Sequence, residues 1–248
     1  MITLARACRA RWRRTENESE RGMSLTELLV ASIVLMIVLT AASALYVSAT
    51  KAMSMAGALN ANTANASNGM NEVVRVIRAG TSNPVENLPL DAPAFLEAKP
   101  ESVILYSYVT SDPAVPRPVM THFYLNAQRQ LVEDRWVATS QSGYWSFPSP
   151  TPGASGYRVP DSTRILTTAV PTPQGTAADL FTYYGDVRGT ETTRLAAARN
   201  DVPAASLERI VAVQVTLTTQ QSLTNSSSPV TLTNLVGIPN LNALESIS

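Results

Sequence analysis

The chain has 248 residues and a formal net charge of +0, with 19 Lys and Arg balanced by 19 Asp and Glu. That balance argues against a nucleic-acid binder, which presents a basic face, while 45% hydrophobic residues suit one membrane-anchored domain able to bury a core. The one cysteine, Cys8, excludes an internal disulfide and a cysteine-built zinc site.

Residues 1–22 read as a leader, with Arg6, Arg9, Arg11, Arg13, Arg14 and Arg21 against Glu16, Glu18 and Glu20. The positive-inside tendency keeps that end cytoplasmic and places the C-terminal part outside. From Leu28 to Thr50 no residue is charged, enough to span a bilayer core, for which about 20 apolar residues suffice. A secretory signal cut near Ala42-Ser-Ala44 is a rival, but the apolar run exceeds the about 7–15 residues of such signals. Arg13-Arg14 suggests a twin-arginine signal, but an acidic stretch follows it.

Glu27 stands alone at the mouth of this run. A charge within a membrane helix costs roughly 2.5–3.5 kcal/mol on insertion scales, although the first turn favours a carboxylate through the helix dipole.

The helix is expected to continue past the membrane, since all 16 prolines lie at Pro84 or later. Met55, Leu59, Ala66, Met70, Val73 and Ile77 share one helical face, while Glu72, Arg75 and Arg78 mark a wet one. Gly80 supplies a C-cap, with Pro84 soon after. The spacing therefore predicts a membrane helix over 23–50, an amphipathic continuation over 51–80 and a β-rich domain over 81–248.

Residues 83–100 read as an irregular connection. Strands are predicted at Ser102–Val109, Val119–Leu125, Gln130–Ala138, Arg164–Val170, Leu180–Tyr184, Leu207–Thr218 and Val230–Val236. Residues 139–160, rich in proline and glycine, read as a long exposed loop, and a short helical piece is expected around Leu195–Arg199. A long helix followed only by strands gives an α+β fold, the helix packed on an antiparallel β-sheet.

Nothing in the chain has the spacing of a catalytic motif, so no catalytic residue, cofactor or metal site is expected. His122 is the only histidine and reads as a packed or surface strand residue. Glu133 and Asp134 are adjacent in a strand and point to opposite faces. Loop carboxylates at Asp186, Glu191 and Asp201 leave a calcium site open. Tyr144, Trp145, Phe147 and Tyr157 cluster in the proline-rich loop as candidate ligand-binding residues; the alternative is that they pack the loop onto the sheet.

Gly22-Met23-Ser-Leu-Thr-Glu27, running directly into the apolar stretch, resembles the N-terminus of type IV prepilins and pseudopilins. The resemblance implies cleavage between Gly22 and Met23 by a membrane prepilin peptidase, which methylates the new amine of Met23, where the family usually has Phe. It implies an assembly role for Glu27, the fifth mature residue, and a pilin-like fold. The implied partners are other pilin subunits, the inner-membrane assembly platform and the membrane itself, crossed once before transfer to a surface filament. Leu-Phe-Thr-Tyr-Tyr184, Ile-Val-Ala-Val-Gln-Val-Thr-Leu217 and Val-Thr-Leu-Thr-Asn-Leu235 look like the closing strands of large PilW-like minor pilins. The expectation is a minor, non-enzymatic structural subunit. A tip adhesin, a DNA-uptake subunit and a type II secretion pseudopilin are the alternatives.

Overall fold

A computed structural model describes residues 23–84, 91–109, 117–141, 144–172, 178–187, 191–220 and 229–241. Helix α1, Leu25–Arg78, is one 54-residue element. Contacts divide the chain into two units, Met1–Ser54 and Met55–Ser248. In the first, every described residue is exposed, including Leu25 at 81% and Met36 at 67%. Eleven Leu, Ile and Val residues lie between Leu28 and Val47; at roughly 0.3–0.6 kcal/mol each on insertion scales they favour a bilayer by about 3–7 kcal/mol. Among the described residues, α1 is the one helix long and apolar enough to cross a membrane.

The second unit takes in the end of α1 and eleven strands: β1 Phe95–Lys99, β2 Ser102–Ser107, β3 Val119–Leu125, β4 Leu131–Val137, β5 Thr139–Gln141, β6 Tyr144–Ser146, β7 Ser162–Thr167, β8 Phe181–Val187, β9 Glu191–Arg194, β10 Ile210–Thr219 and β11 Val230–Gly237. They form two main antiparallel sheets, ordered β1-β2-β3-β4-β7 and β11-β10-β8-β9, with β5-β6 as a separate hairpin. The fold is α+β, with two sheets where the strand pattern suggested one.

Strand alternation explains the core. Along β10, Val213, Val215 and Leu217 are fully buried while Gln214, Thr216 and Thr218 are only half-buried. Those residues join Phe95, Val103, Leu105, Phe123, Leu131 and Phe181 from both sheets, with Met70, Val73, Val76 and Ile77 of α1. At Gly69 an added Cβ would touch Leu217 of β10 at 3.4 Å and Thr167 of β7 at 3.6 Å, so the helix meets both sheets there. The second face of the first sheet is also covered: Ile104, Tyr106, Met120 and Trp136 form a separate cluster. This is why β2 is buried from Val103 to Ser107 without alternation.

Gly80 closes the helix without a positive φ. Its N–H donates to Ile77 O at 3.0 Å, and a Cβ would stand 2.9 Å from that oxygen and 3.3 Å from Ile238 Cγ2. Gly80 then bridges Ser107 of β2, so the chain leaves the helix directly into the sheet.

Several expectations need correction. Residues 83–100 contain β1, placed at a sheet edge, where flanking Pro93 and Pro100 are tolerated. The 139–160 stretch holds the β5–β6 hairpin, and the piece near Leu195 is β9 followed by turns, not helix. The strand expected from Leu207 begins at Ile210, after a 3₁₀ helix over Ala204–Arg209. Met55 and Leu59 are 59% and 43% exposed, so the helical face is covered only further along, from Asn62.

Candidate functional site

The N-terminal turn of α1 is built from Ser24 and Glu27. Glu27 N–H donates to Ser24 Oγ at 3.3 Å, and Ser24 N–H donates to Glu27 Oε2 at 3.2 Å. This reciprocal pair is a capping box, which satisfies two backbone donors at the helix start. The Ser24-x-x-Glu27 spacing made it legible in the sequence, although Glu27 drew notice there for its charge and for the prepilin resemblance rather than as a cap. Met23 precedes the cap and is 67% exposed; Gly22 lies outside the described residues. Beyond the cap, the run Val30 to Val38 is bare apolar surface.

The aromatic loop divides. Phe147 packs on Tyr106 with ring centroids 4.6 Å apart and planes at 33°, and Trp136 Nε1–H donates to Arg158 O at 2.8 Å. Val137 N–H donates to Asp161 Oδ2 at 2.7 Å, and Arg158 pairs with the same carboxylate at 2.9 Å. These contacts hold the loop against the sheet. Tyr144 and Trp145, on β6, line a cleft of about 430 Å³ with Asn83, Leu96, Tyr106 and Phe147. Tyr157 sits apart from that lining, paired through its backbone with Ser149.

A buried charge cluster went unread in the sequence. Glu133 of β4 is 1% exposed and accepts from Arg135 Nη2 at 2.7 Å; Arg164 of β7 binds its other oxygen. Glu72 of α1 pairs with Arg135, Arg164 and Arg75. Glu72 is thus the polar clamp between helix and sheet, not part of a wet face. Glu133 and Asp134 do diverge as expected: Asp134 accepts from Thr163 Oγ1 across to β7.

His122 has company. Ser102 Oγ lies 2.9 Å from His122 Nε2 and 2.6 Å from Glu97 Oε1. One hydroxyl proton serves one acceptor; with Ser102 Oγ–H donating to the Glu97 carboxylate, His122 Nε2–H donates to Ser102 Oγ. A base that activates a serine must accept its proton, so this arrangement runs the opposite way. Burial lowers the His122 pKa below its usual 6.5, against the pull of Glu97 and Asp134. No group of three His, Cys, Asp or Glu placed to hold a metal occurs among the described residues.

No family model matches the chain, and no curated protein matches it.

Proposed function

We propose that this chain is a prepilin-type structural subunit of a type IV pilus or pseudopilus, with a pilin-like fold. It inserts in the inner membrane through α1 with its N-terminus cytoplasmic, is cut after Gly22, and carries a methylated Met23 into the filament. There α1 packs on the same segment of neighbouring subunits and the head unit faces outward. One observation carries the reading: a glutamate capping the first turn of a helix whose next stretch, through Ser54, is exposed at every residue and apolar through most of its length. Such a surface needs lipid before assembly and other apolar helices afterwards. The irregular head, with its extra hairpin and loops, suits a minor subunit better than one that must repeat against itself.

The experiment is mass spectrometry of the mature N-terminus from the membrane or filament fraction. A chain starting at N-methylated Met23 is the expected result; one starting at Leu45 would mean a secretory signal and overturn the proposal.

A further inference from the structure

We propose that the cleft lined by Tyr144 and Trp145 binds a neutral saccharide. Its volume of about 430 Å³ lies within the roughly 300–1,000 Å³ usual for small-ligand sites. Tyr106, Tyr144, Trp145 and Phe147 give it aromatic surface; Asn83, Ser146 and Ser149 give it polar groups, and among the described residues no charged side chain lines it. A pyranose has C–H faces that lie against aromatic rings and hydroxyls that bond to fixed polar groups, with no charge to neutralise. Loop packing accounts for Phe147, which stacks on Tyr106. It leaves Tyr144 39% exposed and Trp145 half-buried on β6, which pairs with β5.

Asn83 selects among ligand classes. It is 4% exposed, and its backbone pairs in both directions with Ala92. Its Nδ2–H donates to Trp145 O at 3.3 Å, beyond the usual range for such bonds, while Oδ1 meets no donor among the described residues. A buried acceptor left unmet costs stability. Asn83 lines the cleft, and in this proposal a ligand hydroxyl supplies the donor its Oδ1 lacks. A proline-rich peptide, the other partner of aromatic grooves, has few N–H groups to offer, and an anionic sugar finds no cation among the described lining residues. The inference stands whether or not α1 enters a filament.

The full chain in polyoxyethylene detergent, which carries no sugar headgroup, is titrated with maltose, cellobiose and N,N′-diacetylchitobiose by calorimetry and tryptophan fluorescence. At least one disaccharide should bind with a dissociation constant on the order of millimolar. Tyr144→Ala should weaken it about tenfold or more at unchanged melting temperature, whereas Tyr144→Phe should retain it. Binding of none of the three, unchanged affinity in Tyr144→Ala, or capture of a proline-rich peptide in their place overturns the proposal.

Discussion

At the scale of single residues, proton bookkeeping decides most of the polar chemistry in the head. His122 is held neutral by burial, and its Nε2–H, Ser102 and Glu97 form a chain in which each hydrogen has one owner. Burial lowers the folded pKa of His122, so the unfolded chain binds the extra proton first as pH falls. The neutral ring's contribution to stability is complete above its ordinary value of about 6.5 and is lost as pH drops through the lowered folded value. Chemical denaturation of the wild type should therefore show stability rising with pH up to about 6.5. In His122→Gln that rise should flatten; an unchanged slope would assign the titration to another group.

At the scale of elements, α1 is fastened to the sheets by an apolar stripe, by the Glu72 clamp and by Thr219 Oγ1, which donates to Asn62 O at 3.2 Å. Glu72→Ala strips Arg135 and Arg164 of a carboxylate. Removing one partner of a fully buried pair costs about 3–5 kcal/mol. Arg164 is 48% exposed and Glu72 16%, so solvent screening reduces the expected loss to about 1–3 kcal/mol. Denaturant unfolding followed through buried Trp136 measures it. Arg75→Ala, at an arginine 50% exposed, should cost under about 1 kcal/mol and serves as the control.

The elements also divide by how openly their residues announced them. The helix was legible because its prolines are all excluded until Pro84 and Met70, Val73 and Ile77 keep helical spacing. The β3 bounds, Val119–Leu125, and the start of β11 at Val230 were legible because β-branched and apolar residues fill runs of ordinary strand length. Strands β1, β5, β6 and β9 are three to five residues long and sit among Pro, Gly and Thr, so composition hid them. The clamp was hidden for another reason. Arg164 reaches Glu133 because β7 pairs with β4 in the register Glu133↔Arg164, and sheet register between distant segments is not written locally. The cleft was half legible: Tyr144 and Trp145 were marked, but Asn83 joins them from 62 residues away.

At the scale of the whole molecule, the two units differ in what they bury. Residues 55–241 bury a core of their own, with Phe95, Phe123, Phe181 and Leu217 closed to solvent. Residues 23–54 are all exposed; in the proposed reading lipid, and then other helices, cover them. If Glu27 pairs with a neighbour's amine during assembly, Glu27→Ala should still insert and be processed but be poorly incorporated into filaments. Immunoblots of sheared filaments against membranes read this out; equal incorporation of wild type and variant would remove that role from Glu27.

The capping box makes the proposed scission mechanically quiet. Both of its partners, Ser24 and Glu27, lie on the retained side of the Gly22–Met23 bond, and Met23 lies outside the hydrogen-bonded ring. If the chain is cut after Gly22 as proposed, the product keeps both capping partners, and the cut exchanges a leader for an amine while leaving the hydrogen bonds of the first turn in place.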